Sequence, residues 1–500
     1  GGYFSGKVPL IVPQLLPASG FLLLGCAASL TGAAYPACLN LRQPLVEALN
    51  NGFTARPQAV RSRHRQLLLP ASLALLAGGL LQLPPLSGLP LAAYAAIALV
   101  LLIGVTSAPL LTQEIFGRAA RLRLPATQRI ALQNVAQAPL MAQVAASGLI
   151  VSFALTASMV IMVSSFRVAV DHWLDHVLPA PLYLRSKASP LPQELLNSLE
   201  RADTPFLRVE RSAYASLTLD PRRPPVALLV REIDHRDPAA RLPFTGAVLV
   251  PPAEMPVVWI SEAMQEIYRI APGQSLRLPL LGGDVEVFVG GVWRDYARQF
   301  GALVISRDDY QRLGGEFRPS DLALWPRPGA ETAAGQWLAP HVAAYALEVA
   351  ESASIRRLSL SIFDKSFAVT YALEAAAMVI GVFGLAVTLT ASVWLRAREL
   401  ATLAALGFDQ RMLRHALMLE GALIASVGLL LGLACGIAIG AILTHFVNPQ
   451  AFHWRMPLDL PWLALLAGAA GTLTAAVLAS RQAASQATRL PLAQVLASSQ

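Results

Sequence analysis

Residues 421–440 read GALIASVGLLLGLACGIAIG, and this uncharged stretch decides the class of fold. A helix of about 20 apolar residues crosses the ~30 Å hydrocarbon core of a bilayer. Glycine recurs at every fourth position, at Gly428, Gly432, Gly436 and Gly440. In lipid this spacing gives one helix face a groove for a closely packed neighbour, although glycine is also common in membrane helices without that role. The stretch therefore predicts a membrane span with a close helix partner.

The whole chain has the composition of a membrane protein. Of its 500 residues, 55% are hydrophobic and 14% are charged, whereas charged residues make up about 25% of a soluble domain. Apolar blocks predict about seven spans, of which the second is the shortest. They are 14–36, 67–83, 91–113, 139–165, 367–395, 415–446 and 460–480. The three cysteines lie in or beside these blocks, so the sequence predicts no disulfide framework.

The charges of the connecting loops predict the orientation, because positive charge is retained on the cytoplasmic side. Arginine-rich and arginine-poor loops alternate strictly. Before the long segment 166–366 they are 37–66 (rich), 84–90 (poor) and 114–138 (rich), and after it they are 396–414 (rich) and 447–459 (poor). We therefore expect a multi-pass protein of the bacterial cytoplasmic (inner) membrane, with the first residues of the sequence outside and the C-terminus cytoplasmic. The net charge of +8 follows from this bias and does not indicate a nucleic-acid partner.

The long segment 166–366 is predicted to lie outside and to fold as an α+β domain. Its predicted strands are Val226–Val230, Ala247–Val250, Pro256–Ile260, Val285–Val292 and Ala302–Ile305. A helix is predicted over Ser261–Ile270, with Ser261 as its N-cap and Glu262 in its first turn. Apolar residues from Phe166 to Val177 continue at helical spacing, so both flanking spans are expected to extend outward as stalks. The predicted fold class is a polytopic α-helical membrane protein with one α+β extracytoplasmic domain.

A short repeat suggests duplication. The first and last spans are each followed by Arg-x-Pro-Leu, beginning at Arg42 with Pro44 and at Arg489 with Pro491. Chance remains the alternative for so short a pattern. Because the sequence opens with Gly-Gly and not Met, we expect the rest of a first unit upstream. The expected domains are 1–50 (last span and tail of a first unit), 51–138 (two linker spans), 139–165 (a span), 166–366 (outer domain with stalks) and 367–500 (three spans).

The loop after span 367–395 reads WLRARELATLAALGFD from Trp394 to Asp409. It predicts an amphipathic helix at the membrane surface that stops at a glycine. The stretch closely resembles the Arg-x-Arg-Glu-[Ile/Leu]-x-x-Leu-x-Ala-Leu-Gly segment of FtsX-like (MacB-type, type VII) ABC transporter permeases. The family's Glu at the start of the next span matches Glu420, and its closing pattern matches Ser480-Arg481 and Arg489–Leu496.

The resemblance covers 367–500 strongly, 139–366 moderately and 1–50 weakly, in the ten-span, two-unit layout of the larger members. In that family the inner loop is a coupling helix that docks on a cytoplasmic ATPase. The resemblance thus implies a coupling contact formed by Arg396, Arg398, Glu399, Leu403, Leu406 and Gly407. It also implies a permease subunit for export or extraction of a hydrophobic or lipid-linked substrate. Its implied partners are a cytoplasmic ABC ATPase in two copies, a periplasmic adaptor or substrate protein, and membrane lipids.

ATP hydrolysis is not expected on this chain. Gly1–Lys7 fits Gly-x4-Gly-Lys, but it lacks the following Ser/Thr, has no strand before it and is predicted to lie outside. We therefore expect no cofactor on this chain and place ATP and Mg on the partner ATPase. The chain is predicted to be a transporter subunit and not an enzyme. The alternative is a membrane scaffold that transmits ATPase motion to a periplasmic enzyme or signalling partner.

Three polar residues allow a second interpretation. His172 and His176 lie four apart on the predicted stalk, and that spacing suits a metal site as well as a solvated helix face. Because no third ligand adjoins them, we expect no metal. Glu374 lies near the outer end of a span, where an acid marks either a transport pathway or the membrane interface. No Ser/His/Asp or Cys/His set supports a membrane-embedded hydrolase.

Overall fold

The fold comes from a computed structural model that describes residues 63–487, except 87–88, 138, 187–189, 202, 253–254 and 281–282, together with parts of 19–34. The predictions for Arg42, Pro44, Arg489, Pro491 and Gly1–Lys7 lie outside the described residues. Within them, five helices are long and apolar enough to cross a membrane. The chain is therefore a polytopic membrane protein, with a sheet-rich domain inserted between two of the spans.

The helices of the membrane part fall on both sides of the inserted domain. Before it come α1 (Arg63–Leu81), α2 (Leu91–Ala119), α3 (Ala126–Gln137) and α4 (Pro139–Val177). Helices of the inserted domain take the labels α5 to α8, and after it come α9 (Ser352–Leu395), α10 (Ala397–Ala405), α11 (Gln410–Ile442), α12 (Asn448–Phe452) and α13 (Trp462–Ala487). A π-helical turn, Leu443–Val447, joins α11 to α12.

Five of the seven predicted spans correspond to full-length apolar helices, namely α2, α4, α9, the continuous stretch Gln410–Phe452 and α13. The predicted span 67–83 is a shorter apolar helix, Leu67–Leu81. It stops there because Pro84 and Pro85 cannot continue a helix. The predicted span 14–36 is only partly described.

The inserted domain is built on a sheet. Its strands are β1 (Leu182–Ser186), β2 (Phe206–Leu217), β3 (Val226–Arg231), β4 (Val257–Ser261), β5 (Ser275–Leu280), β6 (Gly283–Trp293), β7 (Ala302–Ser306), β8 (Asp321–Pro326) and β9 (Leu347–Glu351). Its helices are α5 (Gln193–Leu199), α6 (Glu262–Tyr268), α7 (Arg307–Arg312) and α8 (Glu331–Tyr345). Alternation of strands and short helices gives the predicted α+β class.

The described strands form one mixed sheet in the order β5-β6-β4-β7-β3-β2-β8-β1-β9. The pairs β3–β7 and β4–β6 are parallel, and the others are antiparallel. Every residue of β4 and β7 is buried, because α6 and α7 cover one face and the loops 233–244 and 255–256 cover the other. We call this inserted unit the sheet domain.

The predicted strands agree with the structure except at Ala247–Val250, where the prediction is wrong. That segment runs beside β6 and donates one hydrogen bond, from Leu249 N to Gly290 O (2.8 Å), but forms no strand. Pro251 and Pro252 follow it and have no N–H to extend a ladder. The predicted N-cap is confirmed, since the Ser261 hydroxyl accepts a hydrogen bond from Met264 N.

Both flanking spans continue into the sheet domain as single helices, in agreement with the predicted stalks. Helix α4 ends at Val177, five residues before β1, and α9 starts directly after β9. Arg356 of α9 forms ion pairs with Asp171 and Asp175 of α4, each at 2.6 Å. These contacts join the two stalks just below the sheet domain.

The glycine groove of α11 faces α4. A Cβ atom placed on any of the four glycines would approach an α4 atom to between 2.6 and 3.3 Å. For Gly428, Gly432, Gly436 and Gly440 these atoms belong to Leu149, Ile150, Ala157 and Ile161, respectively. Only glycine permits so close a backbone approach, and in lipid such packing is a main source of helix association.

Candidate functional site

We call the end of the membrane bundle that carries α10 the inner end, and the end joined to the sheet domain the outer end. At the inner end Arg396 lies at the junction of α9 and α10. Its Nη1 atom donates to both carboxylate oxygens of Glu420 on α11, at 3.0 and 3.2 Å, and its Nε donates to Glu399 at 2.9 Å. Glu420 is buried, whereas the Glu399 side chain is 67% exposed. Arg396, Glu399 and Glu420 form what we call the inner ion-pair network.

The sequence analysis did not include one member of this site, Asn134 of α3. Its side chain forms a hydrogen bond with the Glu420 carboxylate, so Glu420 is held from two directions. Helix α3 packs on α11 through Ala131, Leu132 and Val135. The available signal was the apolar spacing of these three positions, which leaves Asn134 beside the buried face of a short helix.

Helix α10 has one face against the bundle and one end that projects from it. Leu400 is buried with Val393 and Leu413, and Leu403 packs against the same cluster. Leu406, by contrast, is 74% exposed at the end of the helix. Gly407 follows with φ of +100°, a conformation that costs other residues free energy.

The sequence-predicted coupling residues thus divide into two groups. Arg396 and Leu403 point into the bundle, and Glu399, Leu406 and Gly407 are exposed. Arg398 lies in the first turn of α10, and its side chain is outside the described part of the structure. The exposed members form a surface that a partner can reach, while the buried members connect it to α9 and α11.

Close packing next to Glu420 fixes the end of α13. Ser480, which the sequence analysis assigned to the family's closing pattern, is buried against Gly421, where a Cβ would overlap its hydroxyl. The Ser480 hydroxyl donates back to Ala476 O at 2.7 Å. Arg396, Glu420 and Ser480 also line a small cavity at this point. The inner end therefore joins α9, α10, α11 and α13 around one buried carboxylate.

A different contact forms at the outer end, where the connection 453–461 touches the sheet domain. Trp454 lies against Tyr296 and Phe166, with ring centroids 4.3 and 5.1 Å apart, respectively. The Tyr296 hydroxyl donates to Arg455 O at 3.2 Å, and Arg455 N donates to the Glu262 carboxylate at 3.4 Å. The connection 453–461 thus contacts the sheet domain directly and links it to the bundle in addition to the two stalks.

Trp173 of α4 completes the contact. Its ring is 5.9 Å from that of Tyr296, and its Nε1 donates to Arg294 O at 3.2 Å. The connection 453–461 also contacts α4 directly, because Asp459 N donates a hydrogen bond to Ser165 Oγ at 2.9 Å. We call Phe166, Trp173, Tyr296 and Trp454 the outer aromatic joint.

Burial changes the acidity of two groups in this region. Desolvation raises the pKa of Tyr296 to about 12, so the phenol stays protonated and remains a donor. Desolvation also raises the pKa of Glu262 above its ordinary 4.5, although the Arg455 N–H and the charge of Arg294 oppose the shift. The joint therefore favours the protonated form of Glu262.

The stalk histidines do not form a metal site in the described residues, where no group of three His, Cys, Asp or Glu side chains is placed to hold an ion. His172 and His176 are both exposed, and Nδ1 of His176 lies 2.9 Å from His172 O. The neighbouring Asp171 and Asp175 both form ion pairs with Arg356. The geometry agrees with a solvated helix face.

An apolar groove of about 800 Å³ runs along α9 and α13 on the inner half of the bundle. Phe383, Val387 and Trp394 of α9 line one side, and Gly471 and Ala475 of α13 line the other. The groove is open, so the packing of α9 against α13 is looser here than that of α4 against α11.

The comparisons with known proteins agree with this architecture. Residues 372–492 match the FtsX-like permease C-terminal family. Over 354 residues the chain is 24% identical to an uncharacterized ABC transporter permease protein of Mycobacterium tuberculosis, in an alignment that covers 66% of this chain and 40% of that protein. The chain thus spans less than half the length of this relative.

A solved structure, the extracellular domain of the noncanonic ABC-type transporter YknZ from Gram-positive bacteria, also matches. It covers 34% of this chain and 99% of that domain, with 16% identity and a TM-score of 0.25. The family match includes α10, Glu420 and the close contact of Gly421 with Ser480. Residues 372–492 therefore form an FtsX-like permease C-terminal domain, and the chain is similar to an ABC transporter permease.

Proposed function

We propose that this chain is the permease subunit of an ATP-driven transporter, in which a separate cytoplasmic ABC ATPase moves the sheet domain to export or extract a hydrophobic or lipid-linked substrate. The proposal places the inner end in the cytoplasm of a bacterium and the sheet domain in the periplasm. ATP and Mg would bind to the ATPase, which we expect in two copies. A periplasmic adaptor or substrate protein would contact the sheet domain.

One observation carries the proposal: α9 runs unbroken from β9 to the start of α10. A displacement of α10 is therefore applied directly to a helix that ends in the sheet domain. The inner ion-pair network supports this role, because Arg396 ties the α9–α10 junction to Glu420 on α11. Charge-assisted hydrogen bonds of this kind fix orientation as well as adding stability.

The docking surface would be the exposed end of α10. Leu406 is a large apolar side chain that is 74% exposed at the inner end, outside the bilayer-facing part of a span. An exposed leucine next to a charged Glu399 suits an interface with an apolar centre and polar rim. We infer that Leu406, Gly407, Arg398 and Glu399 contact the ATPase, and that Arg396 and Leu403 transmit the force.

The test is co-purification of ATPase activity with the tagged full-length protein from native membranes in mild detergent. Leu406→Asp is expected to abolish the co-purified activity while the permease elutes normally in size-exclusion chromatography. The matched control is Leu122→Asp, which changes another leucine exposed at the inner end, in the turn after α2. Equal losses in both variants, or activity retained in Leu406→Asp, would contradict the coupling role.

Stimulation of the same ATPase activity separates transport from a scaffold role. A transporter is expected to hydrolyse ATP faster when its substrate is added. An ATPase that co-purifies but responds instead to a periplasmic hydrolase would favour the scaffold.

A further inference from the structure

Glu374 is an acid within one of the described spans that the mechanism above does not use. It lies on α9 within the span, and its Oε1 atom is buried without a hydrogen-bond partner among the described residues. The Glu374 side chain as a whole is half-buried, whereas the buried Glu420 has Arg396 and Asn134 as partners. Unpaired acids within membrane spans are costly and usually serve a function.

A second orphaned polar atom lies on the facing helix. Thr156 Oγ1 of α4 is also buried without a partner in the described structure. Other threonines of the spans bond to the carbonyl four residues before them, as Thr106, Thr390, Thr444 and Thr472 do. Thr156 differs from these threonines because its hydroxyl does not form the hydrogen bond to the carbonyl four residues before it.

The contact of α4 with α9 allows the positions of the two residues to be related through helix geometry. Gly381 of α9 approaches Gly148 and Ser152 of α4 so closely that a Cβ would lie 2.7 Å from Ser152 Oγ. The helices are antiparallel, since α4 runs toward the sheet domain and α9 away from it. Glu374 lies two turns and Thr156 one turn toward the sheet domain from that contact, both on the facing sides of their helices.

No basic side chain of the described residues neutralises Glu374. The nearest charged pair along these two helices, Arg167 with Asp364 at 3.0 Å, is already complete. The surroundings of Glu374 on α9 are apolar and open to lipid, with Leu373 and Val379 67% and 68% exposed. A ligand that suits the position carries one positive charge and N–H donors on an apolar body.

We propose that Glu374 and Thr156 form a binding site for hydrophobic molecules that carry a protonated amine. The carboxylate would pair with the ammonium group, Thr156 Oγ1 would accept one of its N–H hydrogens, and the apolar body would lie along the lipid-exposed side of α9. This inference specifies a substrate class for the proposed function, and it depends on that function for the direction of transport. With the sheet domain outside, the amine is bound in the outer half of the membrane.

The probe is radiolabelled dodecylammonium, with dodecan-1-ol as an uncharged molecule of the same chain length. Binding is measured on the full-length protein in phosphatidylcholine nanodiscs, and empty nanodiscs give the partitioning to subtract. Glu374→Gln, which keeps the shape of the side chain, is expected to weaken dodecylammonium binding by about tenfold or more and to leave dodecan-1-ol unchanged. Glu374→Asp is expected to retain most of the binding, and Thr156→Val to lose part of it.

Asp364→Asn is the matched control, because it removes an acid of the same helix that already has a partner. It should leave dodecylammonium binding unchanged. The inference is overturned if the wild-type protein shows no charge-dependent binding, if Glu374→Gln binds as the wild type does, or if Asp364→Asn loses as much. Co-purified ATPase activity is measured on the same samples. Its absence, with Glu374-dependent binding intact, would refute the proposed function and leave the amine site standing.

Discussion

The two helices that carry the sheet domain, α4 and α9, differ in how they are held. In the most apolar 18-residue stretch of α4, 56% of the residues are buried within the protein, against 22% in the corresponding stretch of α9. Helix α4 lies in the glycine groove of α11, while α9 borders an open groove along α13. The helix with the looser packing is the one joined to α10. Under the proposed function, α4 and α11 would form the fixed frame and α9 would be the helix that moves.

The contacts at the two ends of the bundle differ in kind. At the inner end α9 is fixed by the charges of Arg396 and Glu420, which hold one register. At the outer end α4 and the connection 453–461 meet Tyr296 through aromatic faces. The ion pair is a charge-assisted contact in which one guanidinium nitrogen reaches both oxygens of Glu420, whereas the ring contacts carry no formal charge. The bundle is therefore held by charge at the inner end and by ring packing at the outer end.

The largest expected effect comes from filling the groove in the frame. Gly436→Leu would place a Cβ 2.6 Å from Ala157 Cβ and 3.0 Å from Ala154 O, and a backbone atom cannot move aside cheaply. We expect the variant to lose monodisperse protein in size-exclusion chromatography, since a leucine side chain has no room between α11 and α4 and the two helices can no longer pack. Gly384→Leu on α9 is the control, because nothing lies within 4 Å of that position. Similar behaviour of the two variants would remove the distinction between frame and moving helix.

The next effect is the loss of the inner ion pair. Arg396→Met leaves Glu420 buried without its cation, and breaking a buried pair costs about 3–5 kcal/mol. We expect a clear fall in thermal stability in detergent. Glu399→Gln changes the exposed partner of the same arginine and should cost less than about 1 kcal/mol. The double variant Arg396→Met, Glu420→Gln should recover part of the loss, and no recovery would argue against the pairing.

A smaller effect is expected at the outer aromatic joint. Trp454→Ala removes ring contacts with Tyr296 and Phe166, and each aromatic pair contributes about 0.5–1.5 kcal/mol. We expect faster amide hydrogen exchange in the connection 453–461 and unchanged exchange in β4 and β7. Trp462→Ala, at the exposed start of α13, is the control. Protection of the connection that survives Trp454→Ala would show that the hydrogen bonds of Arg455 and Asp459 hold it without the ring contacts.

The smallest effect is a pH dependence of the same joint. The pKa of Glu262 is raised above 4.5 by burial, so the folded joint binds the proton more tightly than the unfolded chain does. Stability from this group is therefore greatest at low pH and falls as pH rises from about 4.5 through the raised value. The hydrogen-exchange protection factors of residues 453–461, which correct for the intrinsic pH dependence of exchange, should fall across that range in the wild type. Glu262→Gln should remove this dependence, and an unchanged profile would contradict it.

Local patterns in the sequence were enough for much of the fold. The apolar blocks located the five full-length spans, and the continued helical spacing past Phe166 indicated the stalk of α4. The strand at Ala247–Val250 was wrong because β propensity was present but the two following prolines prevent a ladder. Strands β1, β8 and β9 were not predicted, because their partners are far apart in the chain and pairing, not local pattern, makes them strands.

For the candidate site as well, the residue types could be predicted from local sequence, whereas their contacts could not. The sequence identified Arg396, Glu399 and Glu420 as residue types at positions that suit a coupling helix and its neighbour. It did not show that Arg396 bridges the two acids, nor that Asn134 joins them, since α3 lies over 280 positions before Glu420 in the chain. Contacts of that separation depend on how helices pack and leave no local signal.

The sequence by itself determined the membrane class, the inserted domain and the glycine face of α11, because hydrophobicity and residue spacing act along a single helix or strand. The tertiary structure alone decided which helix fills the groove and which of the two stalk helices is loosely held. It also decided that Glu374 Oε1 and Thr156 Oγ1 have no hydrogen-bond partner among the described residues. Each of these depends on the close approach of distant segments. Packing in lipid selects that approach through shape and through the satisfaction of polar groups, and no single segment encodes either.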